Sequence, residues 1–203
     1  FHPQFDRIQN IIKSNILGEI NYAHSMFSFP IQPARFYRIN RSIKNGGGAL
    51  WDIGPYAIHT IRNCFKENPV QVYAQSKLNE QGADVSTTGM IDFGNHKRAT
   101  FDVSFECTRR SEFEVFGPLG KVKCPTVWQP KDKQAKIIIN SESSGLTEEV
   151  VPAANHFILE VNHFNKAILN QLEQKLDEGD AVWNAKTLEA IQKSIETKRW
   201  VTL

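Results

Sequence analysis

Between Lys97 and Cys107 the sequence alternates, with Phe101, Val103, Phe105 and Cys107 on one side and Thr100, Asp102, Ser104 and Glu106 on the other. A period of two belongs to a strand with one face on a core and one polar face. The run before it, Val85 to Phe93, joins it through Gly94-Asn95-His96, and the two read as a hairpin. A sheet of this kind needs cover on its apolar face only, and that constrains how the rest of the chain can be used.

The remaining segments supply more strands and the cover. Gln4 to Asn15 carries Phe5, Ile8, Ile11 and Ile12 at helical spacing behind Pro3, and Gly18 stops it. Glu19 to Phe29 predicts a strand. Pro30 to Asn45 holds two prolines and the cations Arg35, Arg38, Arg41 and Lys44, and reads as a long irregular loop. Leu50 to Lys66 predicts a helix whose inner side is Leu50, Ile53, Ala57, Ile58, Ile61 and Phe65. Pro55 either kinks it or marks a start near Gly54, in which case Asp52 is a capping or turn residue.

Val70 to Lys77 predicts a strand. Glu112 to Phe116 and Lys121 to Cys124 predict a hairpin over Gly117-Pro118-Leu119-Gly120. Lys136 to Ile139 and Thr147 to Val151 are two shorter strands. Two helices follow. Ala154 to Gln171 has Phe157, Ile158, Val161, Phe164 and Ile168 on one side, and Ala181 to Thr197 has Trp183, Leu188, Ile191 and Ile195. Trp200 to Leu203 is a last strand or tail. Strands grouped apart from helices predict an α+β fold, not a doubly wound one.

Composition excludes several classes of function. The 203 residues can bury a real core, and 24 basic against 22 acidic side chains leave a net charge of +2. That balance argues against a nucleic-acid partner or a membrane surface. No apolar run approaches the roughly 18–20 residues of a membrane span. Cys64, Cys107 and Cys124 are odd in number and far apart, with no CxxC. They read as buried reduced thiols in a cytoplasmic protein, neither disulfides nor zinc ligands. His156 and His163, seven apart on one helix, read as structural, and no metal site is expected. There is no signal peptide, but the chain opens on Phe1-His2-Pro3 without Met and reads as a piece of something longer.

The chemistry gathers in Asn45-Gly46-Gly47-Gly48-Ala49-Leu50-Trp51-Asp52-Ile53-Gly54-Pro55-Tyr56-Ala57-Ile58-His59. On a helix Asp52, Tyr56 and His59 share one face. Carboxylate, phenol and imidazole can each bind a hydroxyl or move a proton. The glycines permit close approach of another domain or a ligand. They follow a loop and not a strand, so they are not a nucleotide-binding turn. The chain also lacks G-x-x-x-x-G-K-[ST], G-x-S-x-G and H-E-x-x-H.

Gly46-Gly47-Gly48-Ala49-Leu50-x-Asp52-Ile53-Gly54-x-Tyr56 resembles the signature of the second domain of the Gfo/Idh/MocA oxidoreductases. Phe1 to Ile20, with Gly18-Glu19-Ile20, resembles the opening of that domain. Phe116-Gly117-x-x-Gly120-Lys121-Val122 resembles its late hairpin, and Ala185 to Leu203 its end. The resemblance thus covers nearly the whole chain. It implies a single domain over 1–203: a large, mostly antiparallel sheet with helices on one face and the other face open for a homodimer or homotetramer. It also implies a dinucleotide-binding Rossmann domain, with a Glu-Lys-Pro lysine, ahead of Phe1 and absent here.

By the same resemblance the whole protein is an NAD- or NADP-dependent dehydrogenase or reductase acting on a sugar, cyclic polyol or diol. Tyr56 is its general acid/base, and Asp52 orients the substrate or the acid/base group. His59 and Arg38 lie near the substrate, and Gly47 and Gly48 lie near the cofactor. His59 departs from the acidic or amide residue of many relatives. A phenol ordinarily titrates near 10, about three decades above neutrality, so Tyr56 needs a neighbouring cation; the absent lysine would serve. The domain alone is expected neither to bind the dinucleotide tightly nor to turn over. The rival expectation is a non-catalytic sugar-binding or assembly module of the same fold.

Overall fold

A computed structural model of the protein describes residues 1–128 and 133–203. Helix α1 (Pro3–Lys13) opens the chain, with the His2 side chain accepting the Gln4 amide as its cap. Strand β1 (Tyr22–Ser28) follows. The expected long loop is drawn into two 3-10 turns, Pro33–Arg38 and Ile43–Asn45. Next come helices α2 (Ala49–Asp52) and α3 (Gly54–Phe65). Strands β2 (Gln71–Leu78), β3 (Asp84–Gly94), β4 (Lys97–Ser104), β5 (Arg110–Gly117), β6 (Gly120–Cys124), β7 (Ala135–Ser141) and β8 (Gly145–Val151) come next. Helices α4 (His156–Ile168) and α5 (Glu178–Thr197) and strand β9 (Val201–Thr202) end it.

The strands form one nine-stranded sheet in the order β8-β7-β6-β5-β1-β4-β3-β2-β9. Every pairing is antiparallel except β1 with β4, where Ala23 faces Ala99 and Phe27 faces Val103. Alternation settles which face is covered. Phe27, Phe101, Val103, Phe113, Val115 and Ile137 are buried beneath the helices with Ile58, Ile61 and Ile191. The opposite face is polar and open. There Tyr22 and His24 bond the Thr100 hydroxyl, Thr88 bonds Asp102, and Arg110 pairs with Asp102. The α+β class and the open sheet are as the sequence predicts.

Of the two readings of Pro55 the second holds: helix α3 starts at Gly54 behind the separate short helix α2, because Pro55 has no N–H to give the preceding turn; Ile53 breaks the run at φ −121°. Three details differ from the expectations. Ser104 keeps the polar register but is fully buried, where its hydroxyl accepts the Glu106 amide at 3.0 Å. β4 ends there, so the alternation does not carry on to Cys107, whose thiol is exposed; only Cys64 and Cys124 are buried as expected. Burial pushes the Cys64 and Cys124 thiols up, Cys124 to about 12. Finally, the apolar side of α4 faces outward: Phe157, Ile158, Val161 and Phe164 are exposed and no residue of that helix is buried. Among the described residues no helix is long and apolar enough to cross a membrane.

Candidate active site

The site begins with Asp84, which lies outside it. Its carboxylate is fully buried at the start of β3 and accepts the Leu50 amide at 2.8 Å and the Thr87 hydroxyl at 2.7 Å. It thus satisfies a free donor of the first turn of α2, which has no capping side chain of its own. Burial pushes the Asp84 carboxyl up to about 6. Gly48, at φ +100°, lies directly on this carboxylate; a Cβ there would sit 1.8 Å from Oδ1. A Cβ at Gly47 would sit 2.0 Å from the Arg41 carbonyl oxygen. The close approach that these glycines permit is therefore taken up by this chain's own backbone and by Asp84.

That packing fixes the loop in front of them. The Gly48 amide donates to the Arg38 carbonyl at 2.8 Å, and the Asn79 side chain holds the Ile39 carbonyl at 2.8 Å. Arg38 is thereby brought over the end of α2, where its guanidinium pairs with Asp52. The Tyr37 hydroxyl, 3.3 Å from Nε, and the Asp52 charge hold the Arg38 guanidinium above its ordinary value. Asp52 is not a cap for α3, whose capping position is Ile53. On the other side of the chain, the Trp51 indole donates to Gln192 of α5 at 2.9 Å and anchors α2.

Tyr56 stands one turn further, in the first turn of α3, and is 41% exposed. Its ring meets Phe27 edge-on, with centroids 5.5 Å apart at 88°, and Phe27 stacks on Trp128 at 5.0 Å. Trp128 is fixed by its indole donating to Thr60 at 3.1 Å and by two bonds to Ser111. The phenol is thus an apolar ring on an aromatic bed with a polar tip turned outward. No hydrogen bond ties its hydroxyl among the described residues.

Tyr56 forms a wall shared by two hollows. One is a polar pocket of about 200 Å³ in which Tyr56 meets Asp52, Arg38, Arg35 and Arg109 over a floor of Phe27, Phe29 and Ile53. The other is a cavity of about 800 Å³ reached past His59, Thr60 and Trp128 to α1 and α4. His59 lies in the second hollow, not with Asp52. Its Nδ1 is 3.0 Å from the Asp180 carboxylate, which Arg62 and Asn63 also hold, both at 3.2 Å. Burial keeps the His59 imidazole below its ordinary value despite Asp180. The Asn63 side-chain nitrogen lies 3.1 Å from its Nδ1 and 3.4 Å from its Nε2.

The structure therefore brings together Asp52, Tyr56 and Arg38, places His59 around the corner, and turns Gly47 and Gly48 inward. Sequence reasoning did not single out Arg35 and Arg109. Arg35 is three residues before Arg38 on a 3-10 turn, where such neighbours eclipse, so the spacing was a usable signal once the turn type was known. Arg109 follows β4 with no local pattern to mark it. Among the described residues no three of His, Cys, Asp and Glu gather as a metal site.

These features define an α+β domain with a one-sided open sheet and a small polar pocket, walled by a tyrosine and an aspartate–arginine pair, on its helical side. The chain belongs to the GFO/IDH/MocA family: the family model described as the GFO/IDH/MocA C-terminal domain matches residues 5–123. It is 29% identical over 209 residues to the uncharacterized oxidoreductase ORF334 of Rhizobium meliloti, covering 100% of this chain and 62% of that protein. It is 24% identical over 205 residues to the D-xylose 1-dehydrogenase (NADP(+)) 2 of Haloferax volcanii, again covering 100% and 62%. The aldose-aldose oxidoreductase of Caulobacter crescentus, crystallised with glycerol, shares the fold at a TM-score of 0.85 and 20% identity, over 100% of this chain and 61% of that one. The chain thus spans about three-fifths of the length of these proteins.

Proposed function

We propose that these residues are the substrate-binding and catalytic half of an NAD(P)-dependent oxidoreductase acting on a secondary alcohol or ketone of a sugar, cyclic polyol or diol. The observation that carries the reading is the Tyr56 hydroxyl, with no hydrogen bond among the described residues and set in one pocket with Asp52 and Arg38. The relatives named above as dehydrogenase and oxidoreductase support the reaction class.

In oxidation Tyr56 acts as its phenolate: Oη takes the proton of the substrate hydroxyl as the carbon gives up its hydride, and becomes the neutral phenol; in reduction the neutral phenol gives that proton back to the substrate oxygen. Asp52, held by Arg38, orients a neighbouring hydroxyl, and the guanidinium limits the charge that Asp52 brings to the pocket. The nicotinamide, when bound, accepts or supplies the hydride. Gly47 and Gly48 are filled from inside and offer no cradle for its pyrophosphate, so in this reading the dinucleotide is held chiefly by chain beyond these residues. His59, oriented by Asp180, lines the larger cavity, where its ring can meet substrate reaching that far. The open sheet face pairs with a second copy.

The test is Tyr56→Phe in the full-length protein. Turnover falls by about two to four orders of magnitude, the usual worth of a positioned acid/base, while dinucleotide affinity stays within about twofold. Wild-type turnover in the variant would overturn the role of Tyr56. No turnover by the wild type on any polyol, with the fold intact, would favour a binding module.

A further inference from the structure

The polar pocket beside Tyr56 is lined by three arginines, Arg35, Arg38 and Arg109, against one acidic residue, Asp52. Arg38 is spoken for by Asp52. Arg35 and Arg109 meet no carboxylate within 4.0 Å among the described residues, although they face the same hollow. Their positions are set by the fold. Arg35 lies on the 3-10 turn that starts at Pro33, on the same side as Arg38. Arg109 lies between two tethered neighbours: the Thr108 carbonyl accepts the Ser28 hydroxyl at 2.6 Å, and Arg110 donates to the same Ser28 oxygen at 2.7 Å. Arg110 turns to the open sheet face and pairs with Asp102. Arg109, the next residue back, turns the other way and lines the pocket.

Two exposed cations on the wall of one pocket, with no carboxylate beside them among the described residues, raise the local concentration of an anion there. A planar guanidinium also matches a carboxylate or a phosphoryl group in two-point geometry. Resting on the reading of this pocket as a substrate site, we propose that it selects a substrate carrying an anionic group, a carboxylate or a phosphate monoester, which Arg35 and Arg109 clasp while Tyr56 and Asp52 handle the reacting carbinol. A neutral sugar would leave both arginines facing water. The same anionic chemistry could come from a phosphate of the dinucleotide, and the experiment separates the two sources.

Full-length protein is titrated by calorimetry with D-glucuronate, D-glucose 6-phosphate and D-glucose, with and without NADPH, in the wild type, R35Q, R109Q and the double variant. Both arginines are exposed, and retention of the wild-type melting temperature confirms that the variants fold. At least one anionic probe binds tenfold or more tightly than glucose. Each single variant loses about tenfold of that preference, the double variant loses all of it, and glucose binding moves less than twofold. Equal affinity for charged and neutral probes overturns the proposal, and so does a weakening of NADPH alone in the variants, which assigns the arginines to the cofactor. Because binding is read without turnover, an anion preference in a protein that oxidises nothing keeps this proposal and sinks the catalytic one. Turnover of glucose with no preference does the reverse.

Discussion

The buried Asp84 carboxylate accepts the backbone amide of Leu50, 34 positions earlier in the chain, at 2.8 Å. One acidic side chain at the start of β3 thus serves the free helix end that carries Asp52. A carboxyl raised to about 6 is protonated more readily in the fold than in the unfolded chain, where it titrates near 3.8. Its favourable contribution is therefore fully present below about pH 4 and is lost as pH rises through 6, a change on the order of 3 kcal/mol. Denaturant titrations from pH 4 to 7 should show this descending component in the wild type and not in Asp84→Asn. Asp84→Ala, which strips the Leu50 amide of its acceptor and removes the titrating group, should cost about 1–3 kcal/mol at pH 7 and more at pH 4.

The three glycines should differ sharply. Gly46→Ala meets nothing within 4 Å and carries only the left-handed backbone penalty at φ +73°, about 1–2 kcal/mol. Gly48→Ala combines φ +100° with a Cβ driven onto Asp84. Gly47→Ala drives one onto the Arg41 carbonyl. Both should cost more than about 3 kcal/mol or abolish folding. The denaturation midpoints of the three variants check the order; a Gly48→Ala variant as stable as Gly46→Ala would remove the explanation given for the triplet.

Arg62 is 6% exposed and bonds Asp180 through both its carboxylate and its backbone carbonyl. Asp180→Ala leaves that guanidinium buried without its counter-ion and should cost about 3–5 kcal/mol. Asp180→Asn keeps an acceptor and should recover part of the loss. His59 adds an acid limb. Its imidazole is held below its ordinary value by burial, so the stability it contributes is present above about pH 6.5 and is lost as pH falls through its folded value. His59→Gln should flatten the melting temperature below pH 6.5, and an unchanged acid limb would show that another group governs it.

The sheet was legible because a period of two over 97–104 and 85–93 admits one structure, and the helical cover was legible from its spacing. The tertiary role of Ser104 was not, since a hydroxyl that caps the end of a strand has the same letter as one in water. Asp52 and Tyr56 line one pocket although the continuous helix that their offset assumed is broken between them at Ile53. That His59 turns to Asp180, 121 positions away, could not be read from spacing, because only the packing of α5 on α3 brings them together. The outward side of α4 was hidden for a different reason: apolar spacing shows that a face wants cover, not what lies against it.

The last prediction concerns the open face of the sheet. Met90 is 46% exposed there, in register with Thr100, which is bonded to Tyr22 and His24. In the proposed pairing of this face with a second copy the contact is isologous, so each copy brings one added charge into it. Met90→Arg in the full-length protein should therefore weaken association, because the two cations would be desolvated together. It should leave the fold of each copy unchanged, since Met90 is half-exposed and stands outside the buried core. Light scattering over a dilution series reads the effect: the variant should fall to half the wild-type mass at a concentration at least tenfold higher than the wild type does. An unchanged mass across the series, with the melting temperature preserved, would place the oligomer contact somewhere other than this face.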